Sequence, residues 1–432
     1  LKNSTTTANP YLINFVFELN RHDSRENLIA CKDINASGMS RVHPSVLSAV
    51  TIDFDYLKGT SSLKRDIKKA NFDFGGHPKP YVIAVGVRHH PNDWARDLFC
   101  YINPEYLSDL QSGQAIIMFD QSLEGYHTSW LWNWFHDSCR QYNIPPQAVV
   151  YVTGDWFAHE HYARWCASNQ IVDRIKPIPY AHFERYVQFI AEKQNLISDW
   201  DYNIAYKETH NIKTFNCLQK RLRAHRIWFY LKLFQAGLLN KGLVSMNDYQ
   251  NVHTYLEHRI PDEQLLQEAR TVLPLEIYGE SNVQFDDRYY IDRIRDSVCL
   301  DSWVSVISEP IFADNETAVF ISEKTFKPIA CMHPFILLGG KGSLRAVREM
   351  GYKTFSEFFD ESYDDLPTFE RMDAIIKLLN DIDAIEDKHT WFKSMKEVLE
   401  HNYKVFHSKK SIRPPASQEL SDYSRLYFNH LE

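Results

Sequence analysis

A chain of 432 residues with 44% hydrophobic and 14% aromatic content can bury a large core, and that length suits two domains better than one or three. A formal net charge of −8 argues against a protein that coats nucleic acid without specificity, because neutralising phosphates takes a basic surface; a local basic groove stays open. No apolar run approaches the roughly 20 residues needed to cross a bilayer, so no membrane span is expected.

The opening residues, LKNSTTTANPYL, lack the basic start and apolar stretch of a signal peptide. A chain that begins with Leu leaves export open on that ground alone. The seven cysteines, Cys31, Cys100, Cys139, Cys166, Cys217, Cys299 and Cys331, are scattered and mostly set among apolar residues, which fits reduced core thiols in a cytoplasm. None has CxxC or Cys/His spacing, so no structural zinc is expected.

In chain order, residues 1–75 hold polar turns and one clear strand, VLSAVTIDFDYL (46–57), and read as an N-terminal elaboration. Apolar runs of strand length follow: YVIAVGV (81–87), AIIMF (115–119) and AVVYVTG (148–154). SWLWNWFHDSCRQYN (129–143) predicts a helix between the last two, stopped by IPPQ (144–147). The polar stretch EKQNLISDWDYN (192–203) is where the chain is expected to pass between domains, giving a first domain over 1–200 and a second over 205–395. In the second, TFNCL (214–218), WVSVIS (303–308) and FILLGG (335–340) are the strand candidates. Strands alternating with helical stretches predict parallel sheets with helical crossovers. Residues 367–408 read as helical, with Ile375, Leu378, Leu379 and Ile382 at helical spacing, and 396–432 as a C-terminal helical extension.

The strongest chemical signal is VFISEKTFKPIACMHPFILLGG (319–340). Ser322 suits the cap of a short helix. The positive helix start and Lys324 together favour phosphate oxygens, and Glu323 offers acceptors for a pair of sugar hydroxyls. The alternative is an ordinary helix start with two solvated charges. Next comes CLQKRLRAHR (217–226), where Lys220, Arg221, Arg223 and Arg226 follow a strand. Forked Arg donors there suit a diphosphate, and a solvated basic face is the competing reading. In IIMFDQSLEGYH (116–127) a strand ends at Asp120 and Glu124 follows in a loop; either carboxylate can serve as a general base, Glu124 preferred, or merely cap the loop. VTGDWFAHEHYARWC (152–166) repeats the strand-then-acid arrangement, with Asp155, His159 and His161 as cleft candidates, and its His-Glu-His is too tight for the HExxH zinc signature. Asp53 and Asp55 form a short DxD triplet to which no metal is assigned. Trp130, Trp132, Trp134 and Trp156 are more often core than stacking platforms. GxGxxG, GxxxxGK[ST] and GxSxG signatures are absent, which removes most support for dehydrogenase, P-loop and serine hydrolase readings. Gly339-Gly340-Lys341-Gly342 fits a phosphate loop only loosely.

The run ISEPIFADNETAVFISEKTFKPIACMHPFILLGG (307–340) resembles the donor-binding motif of α-1,3-fucosyltransferases and related GT-B enzymes. With CLQKRLRAHR and FDQSLEGY, it is also similar to glycosyltransferase-like proteins of bacteriophages and large aquatic viruses. The resemblance implies an α/β, GT-B-like architecture, with two Rossmann-like domains facing each other across a cleft. It puts Lys324 on the donor diphosphate, Glu323 on the donor nucleoside and an Arg of 221–226 on the phosphates. Phe320-Ile321-Ser322 stands where fucosyltransferases usually carry a Tyr and a Val-Thr, which leaves the base open. The expected function is metal-independent transfer of a sugar from a nucleotide-sugar co-substrate, without a cofactor, to a glycan or to a hydroxymethylated base in phage DNA. The alternative is a non-catalytic virion or host-interaction protein that keeps the fold.

Overall fold

The computed structural model describes residues 15–17, 81–86, 99, 104–122, 125, 129–219, 223–246, 263–273, 275, 294, 296–312, 318–408 and 416–429. The strand expected over 46–57 and the Asp53/Asp55 triplet lie outside them. The chain divides into two compact units, 1–182 with 413–432 and 183–412.

The described elements of the first unit are β1 (Phe15–Phe17), β2 (Tyr81–Gly86), α1 (Pro104–Gln111), β3 (Ala115–Gln121), α2 (Ser129–Gln141), β4 (Val149–Thr153), α3 (Ala158–Ser168) and β5 (Lys176–Pro179). At the division comes α4 (His182–Lys193). The second unit continues with α5 (Trp200–Thr209), β6 (Lys213–Gln219), α6 (Ala224–Gln235), β7 (Gly242–Met246), α7 (Glu263–Arg270), α8 (Asp296–Leu300) and β8 (Ser302–Ser308). Then follow α9 (Glu323–Ala330), β9 (Phe335–Leu338), α10 (Ser343–Glu349), α11 (Thr368–Asp383), α12 (Lys388–Ser394) and α13 (Lys396–His407), and finally α14 (Ala416–Asn429) of the first unit.

Both sheets are parallel throughout, the arrangement that continuous apolar runs such as AIIMF require, since a parallel strand is buried on both faces. In the first unit the strand order is β1-β2-β3-β4-β5, and in the second β7-β6-β8-β9. The expected α/β class, with parallel sheets and helical crossovers, is thus the observed one. Three strands escaped the sequence patterns. The run 15–17 is too short to read, β5 is KPIP, and β7, GLVSM, is a short run close behind the apolar sequence of α6. Prolines survive in β5 because it is an edge strand among the described residues, where a missing N–H costs no ladder bond.

The first sheet shows the alternation of its side chains directly. Ala115, Ile117, Phe119, Val149 and Tyr151 pack with Leu110, Leu131, Trp132, Phe135, Tyr162 and Trp165 of α1, α2 and α3. Val82, Ile116, Met118, Val150, Val152 and Ile178 point to the other face, where Leu420, Tyr423, Tyr427 and Phe428 of α14 meet them. A sheet whose strands run in sequence order, with right-handed crossovers, carries all its crossover helices on one side. The opposite side then needs a cover from elsewhere, and α14 supplies it. Tyr423 donates to Gln147 O at 2.6 Å, and Glu419 pairs with Lys176 at 3.3 Å and His159 at 3.2 Å.

In the second unit the connections β6-α6-β7 and β8-α9-β9 leave in opposite directions, so the same handedness puts α6 and α9 on opposite faces. α11 packs with α6, β6 and β9, and α13 packs with α9. The polar stretch 192–203, read from sequence as the passage between domains, lies inside this unit. Ser198 donates to Ala330 O at 2.9 Å and Asn203 to Cys331 O at 3.4 Å. Lys207 of α5 is buried and donates to the carbonyls of Cys299, Leu300 and Ser302; burial pulls its ammonium down to about 7. The stretch 192–203 is mostly exposed but tied to this unit through Ser198 and Asn203, and the division falls earlier, between His182 and Phe183. Residues 396–432 are likewise not one extension: α13 belongs to the second unit and α14 to the first.

Candidate functional site

Open parallel sheets bind ligands beyond the carboxyl ends of their strands, at the point where strand order reverses. In the second unit that point lies between β6 and β8. Residues just past these two strands, and the starts of α6 and α9, therefore form the candidate site.

Ser322 caps α9 with an extended backbone, and its hydroxyl accepts from Lys324 N at 3.4 Å. Behind it stands Glu309, the residue after β8, which is fully buried. Its carboxylate accepts from Ser322 N at 3.1 and 3.2 Å and from Thr325 Oγ1 at 2.5 Å. Burial raises this carboxyl above the usual range against the opposing pull of Lys324, Ser322 and Thr325. The chain thus already serves two of the helix-start donors that sequence offers to a phosphate.

What remains presented is an ion pair. Lys324 Nζ lies 2.6 Å from Glu323 Oε1, with 29% of the lysine side chain and 11% of the glutamate side chain exposed. Burial works to raise the Glu323 carboxyl, but Lys324 and Lys327 outweigh it and hold the group below the usual carboxylate range. A phosphate reaching Lys324 would exchange with Glu323, releasing a carboxylate that can accept hydroxyl donors.

From the other side of the reversal, Arg223 directly precedes α6; its backbone is extended and its side chain is exposed. Arg226, one turn in, is buried; it donates to Ser308 Oγ at 3.3 Å and to Ser308 O at 3.0 Å. Burial lowers its guanidinium to about 10, helped by Arg223 and opposed by Glu309 and Glu323. His225 Nε2 meets Glu309 O at 2.9 Å, and burial with Arg226 depresses the imidazole to about 3. The ring is therefore neutral and donates that bond. Its other neighbour is Phe312, stacked at 5.2 Å, which also carries Arg371 at 5.2 Å.

Ser322, Glu323, Lys324, Arg223 and Arg226 thus all belong to the segments that follow β6 and β8, with Arg226 spent on β8. Lys220 and Arg221 lie outside the described residues, as does Glu124. Asp120 is in the first unit, next to last in β3, in register with Gly86 and Val152. Glu309 and Thr325 were not recognised in sequence, although an acid directly after the buried run WVSVIS repeats the pattern that singled out Asp120. The Gly339–Gly342 turn is occupied by its own chain: Arg371 donates to Gly339 O at 2.5 Å, and a Cβ on Gly339 would lie 2.6 Å from Ser343 Oγ. In the first unit Trp132 and Trp156 are buried and Trp130 is exposed. Among the described residues no three of His, Cys, Asp and Glu gather as a metal-holding group, and no helix is long and apolar enough to cross a membrane.

No family model and no curated protein matches the chain. A sucrose-phosphate synthase from Thermosynechococcus elongatus is similar in structure over 75% of this chain and 93% of its own, at 11% identity and a TM-score of 0.32. A TM-score at that level carries no weight for fold or function.

Proposed function

We propose that the chain is a nucleotide-sugar-dependent glycosyltransferase of GT-B type whose second unit holds the donor at the β6/β8 reversal. The observation that carries this reading is the convergence there of two helix starts, α6 and α9, with the Glu323–Lys324 pair and Arg223. Lys324 takes the diphosphate and Glu323, released from it, accepts from the donor's hydroxyls. Lys220 and Arg221 complete the phosphate contacts, while Arg226 and Glu309 keep the two helix starts in place. Fixed cations take the charge of the departing diphosphate, a role in which they need no metal ion. The acceptor is a hydroxyl of a glycan or of a hydroxymethylated base.

Thermal shift with GDP, UDP and their sugars tests the reading. Stabilisation by a nucleoside diphosphate at 100 times its Kd amounts to roughly 2.7 kcal/mol, and Lys324→Ala should lose it without changing the unliganded transition. An undiminished shift in Lys324→Ala moves the site elsewhere. No shift with any nucleotide leaves a non-catalytic protein. Turnover that survives a chelator supports the metal-free part.

A further inference from the structure

Three polar side chains lie buried along β6, and they are served differently. Thr214 donates to Asp383 of α11. Asn216 donates to Ser302 Oγ at 2.8 Å and to Ser305 Oγ at 2.7 Å. Gln219, the last residue of the strand, is 1% exposed. Its Nε2 reaches the Cys217 sulfur at 3.2 Å, and its Oε1 has no hydrogen-bond partner among the described residues. The backbone there is satisfied separately, Gln219 N donating to Ser245 Oγ at 3.1 Å. Burial pushes the Cys217 thiol up to about 11, so the amide nitrogen meets an uncharged sulfur, which is a weak acceptor.

A buried carbonyl oxygen that has given up water and gained no bond lowers stability. Methionine, of similar length and volume, would fill the same place without that cost. A local rule broken in this way is expected where a ligand completes the bond, and Gln219 stands at such a place. It ends β6 at the reversal of strand order and directly precedes Lys220 and Arg221. Arg226 interacts electrostatically with Cys217, Glu309 and Glu323 alike, so the Cys217 and Gln219 face of β6 and the start of α9 border one guanidinium. A diphosphate offers only acceptors and cannot satisfy a carbonyl oxygen. The ribose and the transferred sugar bonded to it carry hydroxyls that can.

We propose that Gln219 Oε1 accepts a hydrogen bond from a hydroxyl of the bound nucleotide sugar, on its ribose or on the transferred sugar, and so helps to set donor specificity. This rests on the glycosyltransferase reading of the same site. Binding then supplies the partner that the unliganded chain lacks, and the residue trades stability for affinity.

The test uses the full chain, with calorimetric titration of UDP, GDP, UDP-glucose and GDP-mannose and with thermal unfolding in the absence of ligand. Gln219→Met should raise the melting temperature of the second unit by about 2–4 °C and weaken binding roughly tenfold. Gln219→Asn, whose carboxamide is one methylene short, should weaken binding without that rise. A loss already present with UDP or GDP assigns the hydroxyl to the ribose; a loss confined to the two nucleotide sugars assigns it to the transferred sugar. In the ribose case, 2′- or 3′-deoxyuridine diphosphate should bind the wild type about tenfold more weakly than UDP does, and Gln219→Met no more weakly than UDP does. Binding within twofold of the wild type in both variants overturns the proposal, as does a lower melting temperature in Gln219→Met, which is what a carboxamide held by the protein or by a buried water would give. Affinity that survives in Gln219→Met but is lost in Lys324→Ala removes this proposal alone. A wild type that binds none of the four ligands sinks the donor reading, and this proposal with it.

Discussion

The two sheets are built from the same kind of strand and differ in order. In the first unit the described strands follow one another in sequence, so α1, α2 and α3 crowd one face and the other is covered by α14, from far along the chain. In the second, order reverses between β6 and β8, helices cover both faces from within, and the reversal is the point where open parallel sheets take their ligands. Strand order thus decides two things at once: whether a unit can close its own core, and where it has room for a ligand.

The largest effect should come from removing the borrowed cover. Deleting 413–432 takes Leu420, Tyr423, Tyr427 and Phe428 off the sheet, a loss on the order of 5 kcal/mol in apolar burial. Calorimetry should show the first unit melting far earlier, or not cooperatively, with the second unit's transition kept. An unchanged first transition would break the comparison.

Next is Glu309→Ala, which removes the tie between the end of β8 and the start of α9 and leaves Ser322 N without its acceptor. The expected cost is about 3 kcal/mol, confined to the second unit, read by urea unfolding. Glu309→Gln, which keeps an acceptor, should cost less.

Smaller again is a difference in acid response. His225 is depressed to about 3 from an ordinary value of 6.5, chiefly by burial. The unfolded chain then binds the proton first, so stability falls as pH drops below about 6.5 and continues to fall toward 3, by roughly 1.4 kcal/mol per pH unit. Comparing the wild type with His225→Gln between pH 7 and 5 isolates this term, because the other titrating groups are common to both. A wild type no more acid-sensitive than the variant would mean that the imidazole is not held neutral.

Much of this organisation was legible in the residues. Runs such as AIIMF and FILL announced buried parallel strands because nothing polar interrupts them. Ser322 announced a cap because its hydroxyl precedes an apolar helical pattern. What could not be read depended on partners distant in sequence. EKQNLISDWDYN looks like a linker only until Ser198 and Asn203 find the carbonyls of Ala330 and Cys331. Glu309 is inconspicuous until Ser322 N and Thr325 close on it. Arg226 and Arg223 are indistinguishable by spacing, yet one is buried against Ser308 and the other exposed. KPIP violates strand propensity and is tolerated only by its edge position.

The dependence of the first sheet on α14 also has a meaning in time. Synthesis at about 5–20 residues per second must pass through the whole of 183–412 before that helix leaves the ribosome. For tens of seconds the face formed by Val82, Ile116, Met118, Val150, Val152 and Ile178 lacks its cover. A nascent chain in that state offers a broad apolar surface to chaperones and to its own copies, and the first unit, although made first, is completed last.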